Sequence, residues 1–164
     1  MHSRSINVRE FTTIKHAVVD KIVSAFGQYQ WFEDKRVVAE GAHRRPDLQL
    51  DVGSHLVVVD VTDGPHDARN SVCETRRLME LSHNAGFKPI VFLRFNPSAY
   101  YTTGGFVSSC WKLNGRGVVR IPKNKAKEWD GRIDVLLAEV MRCLLYPPTK
   151  TVVALHLFGN SGME

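Results

Sequence analysis

Residues 44–66 read RRPDLQLDVGSHLVVVDVTDGPH, and the two apolar segments inside this stretch decide the fold. Asp47-Leu48-Gln49-Leu50-Asp51-Val52 alternates polar and apolar residues with period two, the spacing of a strand with one buried face. His55 to Thr62 follows with the unbroken run Leu56-Val57-Val58-Val59, which suits a strand covered on both faces. Between them, Asp51-Val52-Gly53-Ser54 supplies turn residues, so a hairpin is expected. Antiparallel pairing would bring Asp47, at the start of the first strand, and Asp60, near the end of the second, to the same end of that hairpin.

Outward from this centre the period changes to that of helices. Val8 to Phe26 places Phe11, Ile14, Val18, Ile22 and Phe26 on one helical face, and Arg36 to Ala39 fits a short strand. Arg69 to Ala85 is again helical, with Val72, Arg76, Met79 and Leu81 at turn spacing and Gly86 as a left-handed cap. Pro89 to Phe95 is a buried strand, so strand, helix and strand follow one another as a crossover requires. Phe106 to Arg120 holds glycines and reads as an irregular excursion ending in a short strand. Ala126 to Leu145 carries the stripe Trp129, Ile133, Leu136, Leu137, Val140 and Leu144, stops before Pro147-Pro148, and precedes a strand at Val152 to Phe158. The expected fold class is α/β, a mixed sheet with helices on its faces in one domain spanning 1–164.

The chain carries a net charge of +5 and a pI of about 9.3, which favours a polyanionic partner because Lys and Arg release counterions condensed on phosphates. No run approaches the roughly 18 apolar residues of a membrane span, and MHSRSINVRE lacks a secretory core. An intracellular protein is expected, in nucleus or cytoplasm. Cys73, Cys110 and Cys143 have neither metal-ligand spacing nor an even count, so reduced structural thiols are expected. No heptad specifies a homodimer.

Asp47 and Asp60 converging at one hairpin end would offer hard oxygen ligands to magnesium, which takes few protein carboxylates and keeps water and substrate phosphate. Such an ion polarises a phosphodiester and acidifies a water. His66, on the loop after the second strand, suits proton transfer, and Arg44 and Arg45 suit bidentate phosphate contacts. Arg94 and Asn96 leave a strand end, where functional groups are presented rigidly, although Asn96 before Pro97 equally suits a turn. Glu74, Arg77 and Glu80 share a helical face, as a salt-bridge ladder or as a cleft lining; Glu40 is a further ligand candidate or a surface residue. The basic positions Lys112, Arg116, Arg120, Lys123, Lys125 and Lys127 suit DNA phosphates or a solvated loop. Trp111 suits stacking or packing beneath that loop.

The stretches DKRV at 34–37, RRPD at 44–47, VVVDVTDGPH at 57–66, CETRRLMELS at 73–82, IVFLRFNPSAY at 90–100 and SCWKLNGRGVV at 109–119 resemble the PD-(D/E)XK superfamily. Within it they are similar to very-short-patch-repair-like and EDxHD-type endonucleases, small proteins common in giant viruses and some eukaryotes. The resemblance spans nearly the whole chain. It implies a restriction-endonuclease-like three-layer α/β/α fold and a metal-dependent DNA endonuclease that hydrolyses phosphodiesters with a metal-activated water. Magnesium is the implied ion, with manganese able to substitute. Asp47 and Asp60 would hold the metal, His66 would move the proton and Arg45 would act beside them, with Arg44, Thr62, Asp63, Glu74, Arg94 and Asn96 as supporting candidates. Two departures stand out: Thr62 occupies the superfamily's usual lysine position, where the small-protein family has a carboxylate, and Pro65 replaces a usual glutamine or lysine. They keep open a catalytically degraded, DNA-binding descendant.

Overall fold

The computed structural model describes residues 9–34, 46–62 and 71–159, the side chains of 71–74 excepted. Helix α1 spans Ile14–Ala25, where Thr13 caps it by accepting a hydrogen bond from the His16 amide at 3.2 Å. The predicted start at Val8 is therefore too early. Phe11 lies outside the helix, its carbonyl accepting the Val119 amide at 2.8 Å. Strand β1, Phe32–Glu33, was not foreseen, and the expected strand at 36–39 lies outside the described residues.

The hairpin is present: β2 (Leu48–Asp51) pairs antiparallel with β3 (Leu56–Val61), with Leu48 opposite Val59. Its turn uses Gly53 at φ +99°, with the Gly53 amide bonded to the Asp51 carboxylate at 2.8 Å. Helix α2 (Ser71–Asn84) crosses over to β4 (Ile90–Phe95), which runs parallel to β3. β5 (Tyr100–Thr102), which was not foreseen, pairs with β6 (Gly105–Val107), and the span 106–120, read as an irregular excursion ending in a short strand, holds a second hairpin, β7 (Lys112–Leu113) with β8 (Val119–Arg120), the last being the expected strand. A 3-10 turn at Lys123–Lys125 leads into α3 (Ala126–Leu145), and β9 (Val152–Leu157) returns parallel to β4.

The central sheet thus has the order β1-β2-β3-β4-β9, antiparallel on one side of β3 and parallel on the other. One face carries Val57, Val59, Val61, Val91, Leu93 and Phe95 under the apolar stripes of α1 and α3. On the other face Val58, Ile90 and Phe92 meet Leu78 of α2. The architecture is mixed α/β with helices against both faces. Cys110 and Cys143 are free thiols in the interior, and among the described residues no helix is long and apolar enough to cross a membrane.

Two buried polar side chains tie these layers together. His55 Nε2 lies 2.6 Å from the Cys143 carbonyl, which can only accept, so the imidazole donates from the hairpin turn to the end of α3. Arg132 of α3, 3% exposed, donates to the carbonyls of Ser98 at 2.8 Å and Ser108 at 3.3 Å. Its guanidinium also lies over the rings of Tyr100 and Phe158, at 4.9 and 5.3 Å.

Burial separates the effect of similar truncations. Leu93→Ala, at a fully buried position between sheet and helices, should lower unfolding free energy by about 3 kcal/mol. Val135→Ala, on the exposed side of α3, should change it by less than about 0.5 kcal/mol. Urea unfolding followed by circular dichroism measures both; equal losses would contradict the packing described.

Candidate active site

Continuing the β2–β3 register by one residue sets Asp47 opposite Asp60, beyond the pair Leu48–Val59. Asp47 is 3% exposed, and each carboxylate oxygen has a defined partner. Oδ2 accepts the Val61 amide at 2.7 Å and Oδ1 meets the Lys15 ammonium of α1 at 2.8 Å. The Asp47 carbonyl accepts the Asp34 amide at 3.1 Å, which fixes the residue at the end of the β1–β2 ladder.

Asp60 is half-buried and its carboxyl hydrogen-bonds that of Asp47. Burial, reinforced by the charge of Asp60 and by this bond, raises Asp47 from its ordinary 3.8 to about 7, against the opposing pull of Lys15 and the Val61 amide. Two carboxyls this close hold a proton between them or invite a cation.

Asp60 also begins a polar row. The parallel registers align Asp60 of β3 with Arg94 of β4 and His156 of β9 on one face of the sheet. It is the face that α2 covers further back, at Val58, Ile90 and Phe92. Burial lowers the pKa of Arg94, offset by the charge of Asp60, while its guanidinium sits 5.6 Å from the centre of the Phe92 ring. Burial, and then the charge of Arg94, also lowers the pKa of His156. The row lies at the carboxyl ends of parallel strands, where open α/β sheets commonly present their ligand-binding groups.

Of the residues expected at the site, Asp47, Asp60, Thr62 and Arg94 therefore gather at one end of the sheet. Thr62 continues β3, its amide bonded to the Phe95 carbonyl at 2.9 Å, and its buried hydroxyl has no hydrogen-bond partner among the described residues. His66, Arg44, Arg45, Asp63, Pro65 and Glu40 lie outside the described residues, as does the side chain of Glu74.

Asn96 builds the turn. Its amide nitrogen donates to the carbonyls of Ala99 at 3.1 Å and Phe158 at 3.0 Å, and its oxygen accepts the Ser98 amide at 2.9 Å. That leaves it a bracket between β4 and the end of β9. Trp111 packs against the core: it is half-buried and its indole N–H donates to the Ser98 hydroxyl at 3.1 Å.

The basic segment divides into engaged and displayed charges. Arg116 and Arg120 share Glu10 at 3.3 and 3.2 Å, and Lys125 meets Glu128 at 3.3 Å and Ser108 at 3.1 Å. Lys112, Lys123 and Lys127 are exposed.

Lys15 and His156 escaped the sequence reading. Lys15 follows the core residue Ile14 on α1, and nothing local distinguishes it from an ordinary surface lysine. Among the described residues, no group of three or more His, Cys, Asp or Glu side chains is placed to hold a metal. No family model, curated protein or solved structure matches the chain.

The folded chain keeps the Asp47 proton up to about pH 7, whereas the unfolded chain loses it near 3.8. The folded state binds more protons in that window, so the stabilisation from Asp47 is complete below 3.8 and disappears as pH rises through about 7. Asp47→Asn, which retains an acceptor for the Val61 amide and leaves the half-exposed Lys15 to water, should be more stable than wild type at and above neutral pH. That gap should close as pH falls towards 4, by at most about 1.4 kcal/mol per pH unit. Chemical unfolding of both proteins across the range tests this, and a pH-independent gap would contradict it.

Proposed function

We propose that this chain is a metal-dependent DNA endonuclease of the PD-(D/E)XK type, with a restriction-endonuclease-like three-layer α/β/α fold. The observation that carries the reading is the Asp47–Asp60 pair: two carboxyls on adjacent strands, hydrogen-bonded to each other, with Asp47 raised to about 7. The motif RRPD followed by an acidic strand specifies that placement. Helices against both faces of a mixed sheet support the fold, α1 and α3 on one side and α2 on the other.

The donor set fits magnesium or manganese. Both are content with one or two carboxylates, completing their shell with water and substrate phosphate. Such an ion, when bound, would polarise the phosphodiester and lower the pKa of a water. Asp47 and Asp60 would hold it. Asp47, locked by the Val61 amide, is the rigid ligand, and the half-buried Asp60 is the one nearer solvent. Lys15 would bring to Asp47, from α1, the ammonium that the superfamily usually places at the position of Thr62. Arg94, aligned beside Asp60, suits the DNA phosphate, and His66 is the residue assigned to proton transfer.

A second reading, a catalytically degraded DNA-binding protein, has its own support. Lys15 already neutralises Asp47 Oδ1, and Thr62 offers a hydroxyl where the related family has a carboxylate.

Purified protein should nick or cut plasmid, linear duplex or branched DNA with magnesium or manganese, and should lose that activity with chelator or with Asp47→Asn. Cleavage that persists in the Asn variant would sink the assignment of the site. Salt-sensitive DNA binding without cleavage under every metal condition would establish the second reading.

A further inference from the structure

A cation already sits on the carboxylate pair, and it belongs to the protein. The Lys15 ammonium lies 2.8 Å from Asp47 Oδ1, while Oδ2 is taken by the Val61 amide at 2.7 Å. That amide is fixed by its strand, so Oδ1 is the oxygen an incoming ion must approach. It must do so against a positive charge. A divalent ion on the second lone pair of Oδ1 would stand within a few ångström of the ammonium, where like charges repel strongly because little water screens them.

Lys15 serves no evident purpose of α1 itself. It lies two residues past the Thr13 cap, in a first turn that has no acidic residue. The N-terminal end of a helix carries partial positive charge and disfavours cations there. Pairing with Asp47 offsets that cost, so the carboxylate and not the helix accounts for a cation at this position.

The ammonium is also free to move. The Lys15 side chain is 42% exposed against 4% for Asp47, and among the described residues Asp47 is its ion-pair partner. A hydrated head on a four-carbon stem can swing to water or to another anion without disturbing the helix.

We infer that Lys15 is a tethered stand-in for the metal: its ammonium occupies the cation position at Asp47 Oδ1 in the metal-free protein and withdraws when a divalent ion binds. The inference rests on the metal-dependent reading above and deepens it by naming what regulates the loading of that site. With both carboxyls ionised, the ammonium leaves one net negative charge to attract the ion; its withdrawal leaves two. A DNA phosphate is the anion able to draw the ammonium off, so DNA and metal should favour each other's binding. The degraded reading differs at this point, because there Lys15 fills the site permanently.

Manganese binding without DNA, followed by the electron paramagnetic resonance of the free ion, tests the inference on wild type, Lys15→Gln and Lys15→Arg. It is measured at about pH 8, so that a proton on Asp47 does not compete with the ion. Lys15→Gln should bind about ten-fold more tightly than wild type, whereas Lys15→Arg, which keeps the charge, should gain nothing. In thermal unfolding Lys15→Gln should be less stable than wild type without metal and should gain more from added manganese, a rescue that a merely structural ion pair would not give. A short duplex should tighten manganese binding to wild type more than to Lys15→Gln.

Equal or weaker manganese binding by Lys15→Gln would overturn the inference, as would Lys15→Arg binding as tightly as Lys15→Gln. Adding Asp47→Asn to Lys15→Gln should abolish the binding and so separates this inference from the reading beneath it. Binding that survives the double substitution, or no binding by any of these proteins, would overturn the metal site itself and the inference with it. Binding of equal strength by wild type and Lys15→Gln, lost with Asp47→Asn, would overturn the role of Lys15 alone and leave the metal site standing.

Discussion

The whole molecule is organised by the requirement to cover β3 on both faces. Val57, Val58 and Val59 are fully buried, so apolar material must sit above and below the strand and neither lateral edge can face water. The antiparallel edge is closed locally by β2 through a tight turn. The other is closed by β4 in parallel, which a short turn cannot achieve and which α2 makes possible by crossing over one face. α1 and α3 then take the other face. The placement of Asp60 follows: it is the point where the valine run ends and the strand reaches the open side of the sheet.

The same coupling gives the carboxylate pair its character. Asp47 is buried because Leu48 beside it must enter the core, and the desolvation would be prohibitive for a lone charge. Two groups share the burden, a backbone N–H and an ammonium, and burial holds the carboxyl itself towards its neutral form. Each also sets geometry, because the Val61 amide belongs to the partner strand and Lys15 to a helix on the far side of the hairpin. A substitution in α1 can thereby reach the site without touching the sheet.

What the sequence disclosed follows the range of the forces involved. α3 was legible from end to end because its apolar stripe and the following proline pair are local signals. The β2–β3 hairpin, and the opposition of Asp47 to Asp60, were legible because alternation and turn chemistry fix register over a few residues. α1 was overextended because Phe11 obeys helical spacing yet is drawn off to β8. β1 has only two residues and exists through its pairing with β2, so no periodicity could announce it. β5 and β6 were lost for the same reason, their glycines suggesting irregularity where they form a tight tip. Lys15 and His156 required the tertiary fold: an ion pair between α1 and β2, and a register propagated across three strands, leave no imprint on neighbouring residues.

The position of β9 in the sheet has a consequence for how the chain is made. Its partner β4 is an interior strand, fully formed in sequence long before β9 is synthesised, so during translation the outer edge of β4 exposes unpaired amides and carbonyls. Residues from Asn96 to Thr151, including α3, must emerge before that edge can be covered. Closure by contacts so distant in sequence is slow compared with hairpin formation, which makes the unfinished sheet the species most open to wrong pairing. The early hairpins and the buried hold of Arg132 on the Ser98 and Ser108 carbonyls shorten the search, since they bring the chain back towards the sheet before its final strand arrives.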